Sequence, residues 1–369
     1  MSQDVFMRRA RELAERGRYT AAPNPLVGAV VVRDDEIIGE GWHARAGGDH
    51  AEVVALEAAG SAARGAELYV TLEPCNHHGK TPPCTDAVLR AGIGRVVAGC
   101  LDPNPKMRGR SMELLREAGV GVDLLDDGSF ARQNEQFSHF MTTGRPFVHL
   151  KLASSLDGRI SASGGESKWI TGEPARRRAH ELRAEAGAVL VGAGTARTDD
   201  PLLTPRGLPD TAPPVVRVVL DPHLTLGARS QLAKTAGTDP VLVFVGEGTD
   251  GAKIDELRGH GVQVVTAPLA ASGEEIDLGY VLDELGRRGL RGVLVEGGGE
   301  TVGRFVRQGL ADKLTVFYAP KVLGAGGTPL MGSLVVDEVG RAPGFRVEGV
   351  ERFGEDVAVT LYPRGTEES

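Results

Sequence analysis

The spacing of apolar residues along the first part of the chain predicts alternating strands and helices. Short apolar runs predict β-strands at 26–32, 37–41, 67–72, 95–99 and 120–122. Apolar residues at helical spacing predict helices at 5–16, 50–59, 85–91, 112–118 and 133–141. The turn Asp34-Asp35 joins the first two strands and predicts a β-hairpin. This pattern is typical of an α/β domain.

A break containing glycine and proline at 142–146 separates this part from a second strand-rich region. Its strands are predicted at 147–152, 188–192, 215–220, 241–245, 262–266, 292–296 and 314–319. Helices such as 175–185 and 278–288 lie between them. Short strands that alternate with helices predict a mostly parallel, doubly wound sheet. We therefore expect two domains, 1–144 and 145–369.

Composition narrows the classes of function. The chain has 369 residues, of which 41% are hydrophobic and 25% charged, as expected for a globular protein of two or three domains. Its net charge of −8 provides no basic field for a nucleic-acid backbone, which favours a small-molecule substrate. Residues 1–20 lack the apolar core of a signal peptide, and no apolar run reaches membrane-spanning length. Three cysteines indicate no disulfide framework, so we expect a cytoplasmic protein without nucleic-acid or membrane partners.

The clearest chemical signal is a group of possible metal ligands, His50, Cys75 and Cys84. One imidazole and two thiolates form a three-ligand zinc set that leaves the fourth tetrahedral position for water, with about one zinc ion per chain. Glu52 follows the histidine by two residues and is suited to move protons without binding the metal. A His-x-Glu followed by Pro-Cys and a second Cys is the signature of zinc-dependent nucleobase deaminases.

Two other interpretations of these residues exist. A structural zinc site would need a fourth protein ligand, and buried cysteines can serve only as apolar packing. The offset of Glu52 and the position of Pro74 favour the catalytic site. His50 opens one predicted helix and Cys84 immediately precedes another, so both helix dipoles favour thiolates and metal binding.

Two glycine-rich loops follow predicted strands of the second region. One is 297–299 and the other 192–194, and each precedes a helix start or a turn. Glycines let backbone N–H groups approach a phosphate closely. Neither loop has the G-x-G-x-x-G spacing, so each alone is also compatible with a tight strand-to-helix turn. Two such loops in one α/β domain favour a dinucleotide lying across the strand ends.

The motifs resemble the bifunctional deaminase/reductase family of riboflavin biosynthesis from Ala22 to about Leu330. The resembling segments are 23–30, 48–52, 69–84, 151–158, 169–172, 191–201 and 295–299. The resemblance implies a cytidine-deaminase-like three-layer α/β/α domain followed by a dihydrofolate-reductase-like α/β domain. One departure stands at Gly187, where the family usually has aspartate, and it affects a local helix-to-strand contact.

The same resemblance implies two successive reactions on small phosphorylated pyrimidines. The first is the zinc-dependent hydrolytic deamination of 2,5-diamino-6-(5-phosphoribosylamino)pyrimidin-4(3H)-one. The second is the NADPH-dependent reduction of the ribosyl group of 5-amino-6-(5-phosphoribosylamino)uracil to the ribitylamino product. Glu52 would take a proton from water and pass it to the ring nitrogen. A homo-oligomer is compatible with the sequence.

Further site residues come from the resemblance. In the deaminase, Asn24 would bind the base, and the ribose phosphate would face His43, His77 and Lys80, of which His77 is otherwise a polar loop residue. Residues placed against NADPH are Ala153, Trp169, Thr195, Asp199, Gly298, Gly299, Glu300, Thr301, Val302, Gly303 and Arg304. Residues placed against the reductase substrate are Ser167, Arg183, Leu203, Arg206 and Glu296, with the arginines suited to its phosphate. Asp199 either donates a proton to the sugar oxygen, which needs a raised pKa, or orients a donating water.

Two rival hypotheses assign fewer catalytic activities to the chain. One is a deaminase with an idle second domain, which the intact Lys151, Asp199 and Glu296 disfavour. The other is a nucleotide-sensing protein without turnover, which is disfavoured because Glu52 and the zinc ligands are retained.

Overall fold

The computed structural model describes residues 3–77, 82–208, 212–332 and 334–364. The chain divides into two compact units, Met1–Gly144 and Arg145–Ser369. No helix in the described ranges combines the length and apolar character needed to cross a bilayer.

The described part of the first unit contains a five-stranded sheet. Its strands are β1 Gly28–Arg33, β2 Glu36–Trp42, β3 Glu67–Val70, β4 Arg95–Ala98 and β5 Gly121–Leu124, in the order β2-β1-β3-β4-β5. The helices are α1 Gln3–Ala14, α2 Ala51–Ala59, α3 Cys84–Ala91, α4 Arg110–Glu117, α5 Gly128–Gln133 and α6 Glu135–Thr143. β1 pairs antiparallel with β2 and β3, whereas β3, β4 and β5 run parallel. The predicted hairpin is confirmed.

Alternating side chains of these strands build two cores. Val31 and Leu68 face a cluster formed with α2, α3 and α4, whereas Val30 and Tyr69 face one formed with α1 and Phe130. Successive residues of a strand point to opposite faces, so helices cover both faces of the sheet. This arrangement is the three-layer α/β/α fold that the resemblance implies.

The helix predicted over 133–141 is confirmed as α6, which begins only at Glu135 because Asn134 interrupts the helical conformation between α5 and α6. The Asn134 side chain accepts a hydrogen bond from the Leu26 N–H at 2.7 Å and donates one to the Leu26 carbonyl at 2.9 Å. The same pair of bonds satisfies the backbone of Leu26, and the strand predicted from that residue begins only at Gly28.

The second unit contains a nine-stranded sheet in its described part, with the order β11-β10-β9-β8-β12-β6-β13-β16-β15. The strands are β6 Phe147–Ser155, β7 Arg159–Ser161, β8 Ala188–Gly192, β9 Val216–Leu220, β10 Val241–Val245, β11 Gln263–Thr266, β12 Gly292–Val295, β13 Lys313–Ala319, β14 Thr328–Pro329, β15 Phe345–Phe353 and β16 Asp356–Pro363. The helices are α7 Glu173–Ala186, α8 Ala193–Asp199, α9 Gln231–Lys234, α10 Gly251–Gly259, α11 Leu278–Arg287 and α12 Gly299–Arg307. β7 and β14 form a separate two-stranded sheet.

The strands from β11 to β13 pair in parallel, as predicted, and those inside the edge strand β11 are buried on both faces. Leu190 and Phe244 lie in one hydrophobic cluster, and Val191 and Val243 lie in another. Burial on both faces explains why these strands appear in the sequence as continuous apolar runs. The loops at their C-terminal ends are therefore held on a rigid base.

The antiparallel hairpin β15–β16 was not predicted. Most residues of β15 are exposed or half-buried, because β15 is the edge strand, so they give no apolar run. Gly187 ends α7 with a left-handed φ of 73°, a conformation that glycine adopts without steric cost.

Candidate active sites

Three short elements of the first unit bring the predicted metal ligands together. His50 is the N-cap of α2, Cys84 is the first residue of α3, and Cys75 lies in the loop after β3. The His50 Nδ1 atom lies 3.1 Å from the Cys84 Sγ and 3.5 Å from the Cys75 Sγ. All three donor atoms lie within 4.8 Å of one another. One nitrogen and two sulfurs at this spacing fit a tetrahedral zinc ion with one open position.

The two thiols have opposite protonation tendencies. Hydrogen bonds from the Cys84 thiol and from His50 lower the pKa of Cys75 to about 4, against the effect of burial. Donating that bond, together with burial, raises the pKa of Cys84. The Cys84 backbone N–H also donates to the Cys75 sulfur at 3.3 Å. Cys75 is thus already a thiolate at neutral pH, and a bound dication would deprotonate its neighbour.

Glu52 lies in the first turn of α2 and is only 3% exposed. Burial, reinforced by the charge of Cys75, raises its pKa to about 7. A carboxyl that titrates near neutral pH is suited to accept a proton and return it.

Asn24 and His43 lie beside this group. The Asn24 Nδ2 and His43 Nε2 atoms are 2.9 Å apart, and the other ring nitrogen lies 3.0 Å from the Asp49 carbonyl oxygen. The His43 ring meets the His50 ring edge-on at 5.4 Å. Burial lowers the pKa of His43. Both ring nitrogens of His43 therefore have partners within the protein, and one of these partners is Asn24.

Of the other two predicted substrate contacts of the deaminase, His77 belongs to the described residues and lies after β3. His77 is exposed there, and its charge acts on the carboxyl of Asp102. Lys80 lies outside the described residues.

In the second unit, the two glycine loops meet because they follow adjacent parallel strands, β8 and β12. The Gly298 N–H donates to the Thr195 hydroxyl at 3.1 Å, which joins one loop to the other. A Cβ on Gly192 would lie 2.5 Å from the Thr301 Oγ1, and one on Gly297 would lie 2.6 Å from the Thr301 Cβ. Only glycine fits at these two positions without displacing Thr301.

A cavity of about 1140 Å³ opens at this edge of the sheet. Its lining brings together most of the predicted reductase residues, namely Ala153, Ser167, Trp169, Arg183, Thr195, Asp199, Arg206, Glu296, Gly298, Gly299, Glu300, Thr301 and Arg304. Three predicted residues do not line it. Leu203 and Val302 pack their side chains in the two hydrophobic clusters, and Gly303 is buried within α12.

A buried ion pair crosses the cavity wall. The Arg183 Nε and Nη2 atoms each lie 2.8 Å from an oxygen of Glu296, and Arg183 Nη1 donates to the Thr204 carbonyl at 3.0 Å. Burial raises the pKa of Glu296, but the charges of Arg183 and Lys151 with the hydrogen bonds lower it to about 2. Glu296 is thus a permanent anion, whereas Arg206 lines the same cavity without an ion pair to another described residue.

Other lining residues differ from the expectation or were missed. Arg304 points its Nε to Glu275 at 3.1 Å and donates to the Ile276 carbonyl at 2.6 Å, so its guanidinium holds a neighbouring loop. Lys151, which already argued for an active second domain but was not assigned a contact, lines the cavity, and so does His180, which was not predicted. A lysine inside the apolar run 147–152 was the signal for Lys151.

Comparisons with known proteins agree with both sites. Residues 1–100 match the family described as the cytidine and deoxycytidylate deaminase zinc-binding region, and residues 146–359 match the RibD C-terminal domain. A riboflavin biosynthesis protein RibD of Aquifex aeolicus is 42% identical over 355 residues, which cover 96% of each chain. The chain belongs to the RibD family. As a RibD-family protein it is a bifunctional deaminase and reductase of riboflavin biosynthesis, which depends on zinc and NADPH.

Solved RibD structures share the whole architecture. RibD of Acinetobacter baumannii superposes with a TM-score of 0.87 at 37% identity, covering 98% of each chain. A Thermotoga maritima diaminohydroxyphosphoribosylaminopyrimidine deaminase/5-amino-6-(5-phosphoribosylamino)uracil reductase gives a TM-score of 0.85 at 39% identity, also covering 98% of each chain. The predicted fold, bifunctional activity and cofactors are confirmed for this RibD-family chain, whereas the roles of individual site residues stay predictions.

Proposed function

We propose that residues 1–144 deaminate 2,5-diamino-6-(5-phosphoribosylamino)pyrimidin-4(3H)-one and that residues 145–369 reduce 5-amino-6-(5-phosphoribosylamino)uracil. The observation that carries this proposal is the buried Glu52 beside the His50, Cys75 and Cys84 group. It is supported by the name of the Thermotoga maritima relative.

In the deaminase, His50, Cys75 and Cys84 would hold the zinc ion. When bound, zinc lowers the pKa of a coordinated water towards neutrality and so supplies the nucleophile. Glu52 takes one proton from water at its carboxylate and passes it to the ring nitrogen. It then takes the remaining hydroxyl proton and passes it to the amino group, which leaves as ammonia. Asn24, oriented by His43, would bind the base.

His77 and Lys80 would bind the ribose phosphate of the deaminase substrate. Both follow Cys75 and precede Cys84 in the sequence. Their basic side chains would supply hydrogen bonds to the phosphate oxygens.

In the reductase, the Gly298 to Arg304 stretch and Thr195 would bind NADPH, together with Ala153, Trp169 and Asp199. NADPH supplies the hydride to the opened sugar. The backbone N–H groups at the start of α12 suit its phosphates. Arg206 would bind the substrate phosphate, because Arg183 is largely occupied by Glu296. Asp199 would deliver or direct the proton to the sugar oxygen.

We also propose a homo-oligomer and a cytoplasmic location. The edge strand β15 and the segment before it expose several valines, with Val335 83%, Val339 95% and Val350 63% exposed. An exposed edge strand carrying apolar side chains suits association with a second copy. All three cysteines are free thiols, and two must stay reduced to bind metal, as a reducing compartment ensures.

The test is to supply the diamino substrate with NADPH or NADH and to follow ammonia and cofactor absorbance together. Ammonia release followed by NADPH oxidation is expected, with about one zinc ion per chain. Removing zinc with a chelator should stop ammonia release yet leave NADPH oxidation with the deaminated substrate intact. Turnover that survives complete zinc removal would contradict the deaminase mechanism, and equal rates with NADH would contradict the cofactor assignment.

A further inference from the structure

Glu73 is a buried carboxylate that neither the metal group nor the proposed proton transfer uses. It lies between β3 and Cys75, is 4% exposed, and its own N–H donates to the Cys100 carbonyl at 2.9 Å. Burying an ionised carboxylate is costly unless hydrogen bonds replace its water. The partners of Glu73 therefore indicate what it holds.

All four side-chain hydrogen bonds of Glu73 go to one segment, residues 102–111, which leads from β4 into α4. The Glu73 Oε2 atom accepts the N–H of Asp102 at 3.0 Å and that of Gly109 at 2.9 Å. The Oε1 atom accepts the N–H of Ser111 at 3.2 Å and its hydroxyl. One carboxylate thus fixes both ends of the 102–111 segment. Between these ends, the segment is folded by its own bonds, from the Asn104 N–H to Asp102 and from the Lys106 N–H to Asn104.

The 102–111 segment is attached to the start of the loop that carries a metal ligand. The Asp102 N–H, at the start of the segment, binds the Glu73 carboxylate. Glu73 is two residues from Cys75 in sequence. The side chain that anchors the segment is therefore rigidly connected to a metal ligand.

We propose that Glu73 is a positioning residue of the deaminase, which ties the 102–111 segment to the Cys75 loop so that this segment forms one wall of the substrate site. The inference rests on the proposed deaminase function. It assigns Glu73 an effect on substrate binding rather than on the proton transfer, because the four side-chain hydrogen bonds of Glu73 go to the 102–111 segment.

The experiment compares the Glu73→Gln variant with the unsubstituted enzyme, both full-length and loaded with zinc. Glutamine keeps the shape of the glutamate side chain but has only one acceptor oxygen. Its NH₂ group is a donor, so at least one of the three backbone N–H groups loses its acceptor. The expected result is a rise in KM for ammonia release of about tenfold, the size expected for losing a hydrogen bond to a charged group, with kcat changed by less than about threefold. Zinc content and NADPH oxidation with the deaminated substrate should be unchanged.

The matched control is Glu113→Gln, an exposed acid two residues beyond Ser111 in α4, which should leave both constants unchanged. A lower active fraction with unchanged KM would overturn the proposal by showing a purely structural role. Loss of zinc would overturn it too, because Glu73 would then act on the metal group. Absence of ammonia release from the unsubstituted enzyme would instead refute the proposed function, before any variant is compared.

Ser111→Ala keeps the proposal testable if Glu73→Gln does not fold. It removes the single hydroxyl bond to Glu73 and leaves the backbone bonds in place. A KM rise of about twofold to fivefold is expected for losing one such bond. In hydrogen exchange, the amides of Asp102, Gly109 and Ser111 should exchange faster while those of α2 do not change. Unchanged KM and unchanged exchange of these amides would overturn the proposal.

Discussion

Glu52 in the first unit and Glu296 in the second are both buried at their sites, and the two carboxyls have opposite properties. Burial raises the pKa of Glu52 to about 7, and no arginine or lysine is among the main influences on it. Burial also raises the pKa of Glu296, but Arg183 and Lys151 outweigh this effect and lower it to about 2. The difference shows that neighbouring cations, rather than burial, decide whether a buried carboxyl moves protons or serves as a fixed charge.

The two sites also differ in what they are built from. The deaminase site is a group of side chains delivered by the start of two helices and one loop. The reductase cavity also depends on backbone turns at two glycines, where a side chain would meet Thr301. Substitutions at the site of the first unit should therefore affect mainly the rate of deamination. Substitutions at the site of the second unit should affect both its stability and its binding of ligands.

The largest effect is expected for Glu52→Gln. Removing a general acid and base costs about 10²- to 10⁴-fold in rate, so ammonia release should fall by that factor. Zinc content should be unchanged because Glu52 is not a ligand, and NADPH oxidation with the deaminated substrate should continue. Steady-state ammonia assays and metal analysis check this. A variant with full deaminase activity would remove Glu52 from the mechanism.

Glu296→Gln tests whether the permanent negative charge of Glu296 stabilises the second unit. The substitution leaves Arg183 and Lys151 buried without their anion, and breaking such a pair costs about 3–5 kcal/mol. Urea unfolding should show this loss in the second unit, with weakened NADPH oxidation and retained ammonia release. Glu173→Gln is the control, because that α7 glutamate is 77% exposed and should change the unfolding free energy little. Equal stability of both variants would contradict a buried, stabilising ion pair.

These two glutamates also show what sequence alone can predict. The metal group and Glu52 were predictable because residue type and short spacing carry the chemistry. The Arg183–Glu296 pair was not predicted, because 113 positions separate its members and only the packed sheet brings them together. The break at Asn134 has the same origin, since it depends on bonds to Leu26, 108 positions away.

Core packing sets a second limit on sequence-based prediction. The parallel strands were predictable because burial on both faces leaves continuous apolar runs. The edge hairpin β15–β16 leaves no such run and was missed. The resemblance places Leu203 and Val302 at the reductase site, yet their side chains lie in the core, which a motif does not reveal.

A smaller effect is expected for Gly192→Ala, which tests one of the glycine turns of the reductase cavity. The new methyl group would lie 2.5 Å from the Thr301 Oγ1, and such overpacking costs about 1–3 kcal/mol. Adding Thr301→Ala removes that oxygen and should recover most of the lost unfolding free energy. Gly259→Ala is the control, because its Cβ would meet nothing within 4 Å. Purely additive losses in the double variant would show that the two residues do not clash.

The smallest effect concerns the pH dependence of stability in the second unit, through His180. Burial and the charges of Arg183 and Arg206, opposed by Glu296, lower its pKa from 6.5 to about 4. Between these two values the unfolded chain binds a proton on this histidine and the folded chain does not, so acidification from pH 6.5 to 4 should favour unfolding. Comparison with His180→Gln isolates this contribution from other groups that titrate in the same window. As the pH falls from 6.5 to 4, the unfolding free energy of the unsubstituted enzyme should decrease relative to that of the variant. Above pH 6.5 the two unfolding free energies should change in parallel. If the unfolding free energies of the two proteins stay parallel at every pH, His180 binds its proton equally well in the folded and the unfolded chain. Arg183 and Arg206 would then not lower its pKa.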